Sequence, residues 1–138
     1  MRKRTKSREL ALQVLYQLDI TQDKPESALD NFWSTREDED VDDEVKEFTS
    51  RLVKGAFDNI EPIDKKIAEY AANWQLKRMP VVDRNILRIG CFELLYCDDI
   101  PPKVSINEAV ELAKKYSGAE AGKFVNAILD KVKLEEGK

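Results

Sequence analysis

The chain has 138 residues, a length typical of one domain, and carries 27 Asp and Glu against 23 Lys and Arg. No apolar run approaches the ~20 residues that a membrane-spanning helix needs, and no apolar signal segment follows the basic N-terminus, so we expect a soluble cytoplasmic protein without membrane contacts. The chain has no histidine and lacks the glycine-rich motifs of common nucleotide-binding and acyl-transfer sites. We therefore expect no enzyme activity, no cofactor and no metal.

Positive charge is concentrated at the N-terminus of this otherwise acidic chain. Five cations and no acid occur in residues 1–8: Arg2, Lys3, Arg4, Lys6 and Arg8. The other 130 residues carry a net charge of −9. Because a helix N-terminus already bears partial positive charge, further cations there disfavour the helix and favour a bound anion. We therefore expect this basic arm, residues 1–8, to contact a negatively charged partner.

The hydrophobic periodicity is helical along almost the whole chain and predicts an all-α fold of about seven helices. The apolar stripe of the first helix consists of Leu10, Ala11, Val14, Leu15 and Leu18. A short second helix follows Pro25. Seven acids among the eight residues 37–44 predict a solvated loop that leads into a third helix.

Two prolines mark the starts of the next helices. Pro62 is predicted to begin a fourth helix with apolar positions up to Trp74, and Pro80 a fifth that runs to about Tyr96. The fifth helix is apolar around nearly its whole circumference, which is typical of a central helix surrounded by others.

The sixth helix is predicted to open at a capping box and to end at a glycine. Ser105 and Glu108 have the spacing of the capping box, and Ser117 and Gly118 supply the stop. A seventh helix with its own apolar stripe completes the chain.

Tyr16 is a candidate contact residue for a partner. At 100° per residue it lies nearly opposite the centre of the stripe on the first helix, so its ring should face solvent or a partner. An exposed ring beside a basic cluster suits a base-stacking platform. Packing against a neighbouring helix is the alternative, and the periodicity leaves both open.

Arg84 and Arg88 lie one turn apart on the fifth helix, and neither has an acid three or four residues away. Two guanidinium groups on an apolar helix require an anion from elsewhere. We predict a phosphate, and a carboxylate of another helix is the alternative. Lys123 and Phe124 repeat the pairing of a cation with an aromatic ring, although core packing is the favoured alternative for Phe124.

Four segments carry a resemblance to a known family: RELALQVLYQLD at 8–19, VVDRNILRIGCFELL at 81–95, IPPKVSINEAVELAKKY at 100–116 and GKFVNAILDKV at 122–132. Together they resemble the NusB family of bacterial transcription antitermination factors. The resemblance implies a single all-α RNA-binding domain made of two packed helical bundles, roughly residues 1–78 and 79–138. It also implies binding to single-stranded boxA-type RNA with the small ribosomal protein NusE. The pair would join RNA polymerase antitermination complexes in ribosomal RNA operons, a role without catalysis.

The family's RNA contacts, carried over position by position, fall on Arg4, Lys6, Arg8, Tyr16, Asp83, Arg84, Arg88, Glu120, Lys123 and Phe124. These positions overlap those that charge and periodicity single out. Two departures from the family pattern stand out. Thr5 and Ser7 interrupt an arm that is often a continuous arginine run, which we expect to weaken RNA binding. Ala127 stands where many members have glycine, and we expect this change to affect packing only.

Two other functions remain as alternatives. The helical fold also resembles the RNA-binding extension of some ribosomal RNA methyltransferases, but the chain contains no cofactor-binding half. An acidic helical protein adaptor is the second alternative, with the acidic surface as the functional face. A helix-turn-helix DNA-binding protein is disfavoured, because Glu108 and Glu111 would face DNA phosphates. RNA binding by the isolated chain distinguishes these functions.

Overall fold

The computed structural model describes residues 2–36, 41–71 and 78–137. These residues form seven α-helices: α1 (Lys3–Thr21), α2 (Pro25–Ser34), α3 (Asp43–Asp58), α4 (Ile60–Tyr70), α5 (Val81–Tyr96), α6 (Pro102–Tyr116) and α7 (Ala119–Glu135). The predicted all-α fold of about seven helices is confirmed over the described ranges. Among these helices, none has the length and apolar character to cross a membrane. Residues 37–40 of the predicted acidic loop and Trp74 of the predicted fourth helix lie outside the described residues.

The chain divides into two compact units, Met1–Asp58 and Asn59–Lys138. Helix α4 belongs to the second unit, where it packs against α5 and α7. The boundary near residue 78 that the resemblance implies would instead place this helix in the first bundle. Asp64 and Lys66 of α4 form ion pairs with α5 and α7, respectively. These partners lie far along the chain, so local periodicity does not indicate them.

In the first unit, α1 packs mainly against α3 and also contacts α2. The predicted apolar stripe of α1 is buried, which confirms the predicted core face. Two buried hydroxyl groups join α1 to α3. Ser7 Oγ donates to the carbonyl oxygen of Val45 at 3.0 Å, and Thr49 Oγ1 donates to the carbonyl oxygen of Ser7 at 3.4 Å. Each hydroxyl also bonds within its own helix, Ser7 Oγ to the carbonyl oxygen of Lys3 at 3.0 Å and Thr49 Oγ1 to that of Val45 at 2.7 Å, so the bonds between α1 and α3 add to the helix packing but are not the only partners of these hydroxyls.

In the second unit, α5 contacts α4, α6 and α7, which confirms its predicted central position. Every residue from 85 to 94 is buried. Helices α5 and α7 approach closely at Gly90, where a Cβ atom would lie 2.6 Å from Cδ1 of Leu129. Burial raises the pKa of the Cys91 thiol to about 12, so this thiol stays protonated and belongs to the core.

Helix α6 begins earlier than predicted. Its first residue is Pro102. Proline suits this position because the backbone N–H that it lacks would have no partner within the helix. Ser105 therefore lies inside the helix, and its buried hydroxyl donates to Oε1 of the buried Glu93 of α5 at 2.8 Å. The predicted capping box is wrong. The predicted end of the helix is confirmed, since Gly118 follows with a φ of 109° that favours glycine.

Candidate RNA-binding residues

Residues 3–8 of the basic arm form the first turns of α1. The helix begins at Lys3, so the cations from Lys3 onward project from a helix. No acid lies in the first helical turn to neutralise them locally. Arg4 is exposed, and its guanidinium carbon lies 4.3 Å from the centroid of the Phe48 ring in α3. Lys6 is half-buried. The side chains of Arg4 and Lys6 are thus both accessible from solvent.

Arg8 lies one turn further along α1, and its side chain is not accessible. The residue is 2% exposed, and its guanidinium carbon lies 5.4 Å from the centroid of the Phe48 ring. The prediction that Arg8 is an RNA contact of the basic arm therefore conflicts with its position. All residues from 7 to 12 are buried. The protein therefore surrounds α1 on all sides from residue 7 onward, which includes the last two residues of the arm.

Lys3 forms ion pairs with two acids of the first unit. Its ammonium nitrogen lies 3.1 Å from Asp42 Oδ2 and 3.3 Å from Glu44 Oε2. The hydrogen bond with Asp42, and then that with Glu44, raises the pKa of Lys3. The Glu44 backbone N–H donates to Asp42 Oδ1 at 2.8 Å, and this bond, followed by the one from Lys3, lowers the pKa of Asp42.

In the part of the chain that the structure describes, no group of three or more Cys, Asp or Glu side chains is arranged to hold a metal ion.

The interruption of the arm at Ser7 has a structural reason. Ser7 is fully buried between α1 and α3, and its hydroxyl donates to the carbonyl oxygens of Lys3 and Val45, both at 3.0 Å. An arginine at this position would have no room and no solvent. Thr5, the other interruption, is half-buried.

Tyr16 has the exposure that the periodicity predicts. Its side chain is 42% exposed, so the ring lies outside the core of the first unit. Ile20, one turn further along the same face, is 61% exposed. The ring and the aliphatic side chain together place an apolar strip on the exposed face of α1. Sequence periodicity identifies Tyr16, but Ile20 was not among the predicted contact residues.

Arg88 is the clearest departure from the predicted site. Its side chain is 8% exposed, and Nε and Nη2 donate to Oδ1 and Oδ2 of Asp64 at 2.8 and 2.9 Å. Nη1 donates to Oδ1 of Asn85 at 3.1 Å. The prediction that its anion is an RNA phosphate is therefore wrong, and the carboxylate of another helix is its partner. Asp64 precedes Arg88 by 24 residues, so no local spacing rule could reveal the pair.

Asp83 and Arg84 differ in accessibility. Asp83 is 4% exposed and accepts a hydrogen bond from the hydroxyl of Ser117, which follows the last residue of α6. Asp83 therefore links the start of α5 to the end of α6, and its buried carboxylate conflicts with the predicted direct contact to RNA. Arg84 is half-buried and also interacts within the protein.

The start of α7 carries the remaining predicted residues. Lys123 and Glu120 lie one turn apart, with Nζ 3.6 Å from Oε1 and side-chain exposures of 78% and 92%. Phe124 is half-buried. The charged pair is therefore fully presented to solvent, whereas part of the Phe124 ring is covered.

Phe48 and Arg51 of α3 were not among the predicted contact residues. The guanidinium carbon of Arg51 lies 5.8 Å from the centroid of the Phe48 ring, the same ring that Arg4 covers. The spacing of three residues between Phe48 and Arg51 is a local signal. The approach of Arg4 is not, because it depends on how α1 packs against α3.

The chain matches known proteins over nearly its whole length. The sequence model of the NusB family matches residues 5–133. The transcription antitermination protein NusB of Thermodesulfovibrio yellowstonii is 41% identical, and the match covers 97% of this chain and 93% of that protein. The protein of the same name from Chloroherpeton thalassium is 45% identical over 92% of this chain, and the match spans 59% of its length.

Solved structures agree with the sequence match. The NusB of T. maritima is similar with a TM-score of 0.85 and 36% identity, covering 98% of this chain and 92% of that one. A chain from a crystal structure of the antitermination factors NusB and NusE in complex with dsRNA has a TM-score of 0.86 and 30% identity, covering 98% of both chains. From the family match and these two likenesses, we conclude that the chain belongs to the NusB family.

Proposed function

We propose that this chain is a transcription antitermination factor that binds boxA-type RNA together with the ribosomal protein NusE. In this role it joins RNA polymerase complexes that read through terminators in ribosomal RNA operons, in the cytoplasm. The chain supplies binding surfaces and no catalytic step, and it uses no cofactor. The observation that carries the proposal is the likeness, over 98% of both chains, to a chain from a structure of NusB and NusE with dsRNA. This likeness supports RNA and NusE as partners, whereas the single-stranded boxA type follows from the family resemblance.

The proposed contacts are the predicted residues whose side chains are at least partly accessible. They are Arg4, Lys6 and Tyr16 in the first unit, and Arg84, Glu120, Lys123 and Phe124 in the second. We assign Arg8, Asp83 and Arg88 a supporting role instead, because each is buried. Arg88 and Asp83 would hold the start of α5 in place, and Arg8 the packing of α1 beside Phe48.

The decisive experiment is a titration of labelled single-stranded boxA-type RNA with the protein, in the presence and absence of NusE. We expect binding by the chain alone and tighter binding with NusE. A duplex RNA and a single-stranded RNA of scrambled sequence serve as controls for RNA class and sequence. Binding of NusE without any RNA binding would support the acidic adaptor instead.

RNA affinity is expected to fall steeply with salt. If Arg4, Lys6, Arg84 and Lys123 each neutralise one phosphate, log K should fall with log salt with a slope near −3, at about −0.7 per contact. Arg84→Gln should flatten the slope by about 0.7. Fluorescence anisotropy at several salt concentrations measures both slopes. An affinity that does not change with salt would contradict the proposed phosphate contacts.

Tyr16→Ala is expected to weaken RNA binding more than it weakens folding. Loss of one stacked base should cost about 1–3 kcal/mol of binding free energy. The free energy of unfolding should change by about 0.5 kcal/mol or less, as for a surface substitution. Tyr96→Ala is the matched control, because this tyrosine is 43% exposed but lies at the far end of α5 from Arg84. Equal binding losses in both variants would remove Tyr16 from the site.

A further inference from the structure

An exposed aromatic ring lies at the end of α6. Tyr116 is the last residue of this helix, and it is 43% exposed. Leu112 and Ala113, one turn earlier, are buried. Because residues three and four apart share a face of a helix, Tyr116 continues the buried face of α6 beyond the edge of the core. Its ring is therefore placed at the end of the second unit and is accessible from solvent.

The end of α6 lies beside the starts of α5 and α7. Ser117 follows Tyr116 and donates a hydrogen bond to Oδ1 of Asp83, the residue before Arg84. After a short turn, α7 begins at residue 119. Its first two turns carry the other proposed contacts of this unit, Glu120, Lys123 and Phe124. Tyr116 thus lies near the proposed RNA contacts of both helices.

The Tyr116 ring can receive a planar group. Among the aromatic residues that the structure describes, none stacks on it, whereas the equally exposed Tyr96 stacks on Phe92 with ring centroids 5.8 Å apart. The ammonium nitrogen of Lys115 lies 5.4 Å from the centroid of the Tyr116 ring. Since one ammonium group covers only one face of a ring, the other face of this exposed ring is left for a ligand.

A nucleobase is the planar group that these surroundings favour. Two lysines at this end of the unit are already paired with acids, Lys114 with Glu111 at 3.5 Å and Lys123 with Glu120 at 3.6 Å. Stacking uses the face of the tyrosine ring, so it does not require an uncompensated cation. Exposed aromatic rings beside basic residues are the stacking platforms of proteins that bind single-stranded RNA.

We propose that Tyr116 stacks on one base of the bound RNA, as a second stacking residue besides Tyr16. The inference rests on the proposed RNA-binding function and deepens it, because Tyr116 is not among the residues carried over from the family. The hydrogen bond from Ser117 to Asp83 positions the end of α6 beside Arg84. The buried carboxylate of Asp83 thus serves RNA binding through the residue that follows the stacking ring.

The first test is a titration of labelled single-stranded boxA-type RNA with the wild type and with three variants. Tyr116→Ala should weaken binding by about 5- to 100-fold, as expected for the loss of one stacked base. Tyr116→Phe keeps the ring and should bind as tightly as the wild type. Tyr96→Ala is the matched control, because this tyrosine is equally exposed but lies about 20 Å from Asp83 at 1.5 Å per helical residue. Its RNA affinity should not change.

The dependence on salt separates stacking from charge. Because tyrosine carries no charge, Tyr116→Ala should leave the slope of log K against log salt at the wild-type value, whereas Arg84→Gln should flatten it by about 0.7. Equal affinities of Tyr116→Ala and Tyr96→Ala, or a loss in Tyr116→Phe as large as in Tyr116→Ala, would overturn the inference. Melting curves of each variant separate a loss of binding from a loss of folding.

Photo-crosslinking tests the same contact in the unaltered protein. A set of single-stranded boxA-type RNAs, each with one 5-bromouracil at a different position, is irradiated in complex with the wild type, which is then digested with trypsin. At least one RNA should be linked to the peptide of residues 116–123, in which Tyr116 is the only aromatic residue. Absence of this peptide from every crosslink would overturn the inference, even if Tyr116→Ala fails to fold.

The outcomes also separate this inference from the proposed function. If the wild type binds RNA and Tyr16→Ala weakens binding while Tyr116→Ala does not, the proposed function stands and the stacking site on α6 is refuted. If the wild type binds no RNA, both are refuted.

Discussion

Asp64→Ala is expected to lower the free energy of unfolding by about 3–5 kcal/mol. The carboxylate of Asp64 accepts two hydrogen bonds from Arg88, whose side chain is 8% exposed. Removing the carboxylate leaves a buried guanidinium charge without its counterion, and solvent can replace the lost interaction only partly. Urea denaturation followed by circular dichroism measures the change.

Two further variants test whether the expected loss of stability comes from the buried ion pair. Asp130→Ala removes an exposed carboxylate of α7 and should change stability by about 0.5 kcal/mol or less. The double variant Asp64→Leu with Arg88→Met replaces the ion pair with apolar side chains, and it should recover most of the lost stability because neither charge of the pair is left without its partner. Equal stability of Asp64→Ala and Asp130→Ala would contradict the buried pair.

Ser7→Arg is expected to cost at least about 3 kcal/mol of stability, although it makes the basic arm more continuous. Ser7 is fully buried and its hydroxyl bonds to the carbonyl oxygen of Val45. An arginine there would lose that bond, overfill the contact between α1 and α3, and place a charge in the interior. RNA affinity should not rise, because the new guanidinium group would not reach solvent in the folded protein.

Thr5→Arg is the matched variant for this prediction. Thr5 is half-buried, so an arginine at this position can extend into solvent and the stability should change by about 1 kcal/mol or less. RNA affinity should increase, and the salt slope should become steeper by about 0.7. Thermal melting and RNA titration on both variants measure these effects. Equal stabilities of Ser7→Arg and Thr5→Arg would show that the α1–α3 contact tolerates an arginine.

The five cations of the basic arm are therefore not equivalent. Arg8 is buried, and Lys3 is engaged by Asp42 and Glu44. Arg4 is accessible and is held over the Phe48 ring. The count of cations in the arm thus overstates the charge that a partner can contact. Lys3 and Arg8 instead contact residues at and near the start of α3.

Several features of this protein followed from its sequence alone. Helical spacing identified the buried stripe of α1, the exposure of Tyr16 and the central position of α5, and Gly118 marked the end of α6. These predictions succeed because the α-helix has a fixed period, so the spacing of residues within one helix determines which of them share a face. The four resembling segments likewise indicated the family, which the comparisons confirmed.

Only the tertiary structure decided which polar groups meet. Arg88 pairs with Asp64 of α4, Ser105 donates to Glu93 of α5, and Arg4 lies over Phe48 of α3. Each partner belongs to a different helix, at a separation that the rules for neighbours three or four residues apart do not cover. The burial of Arg8 has the same origin, because packing between helices determines which charged side chains reach solvent.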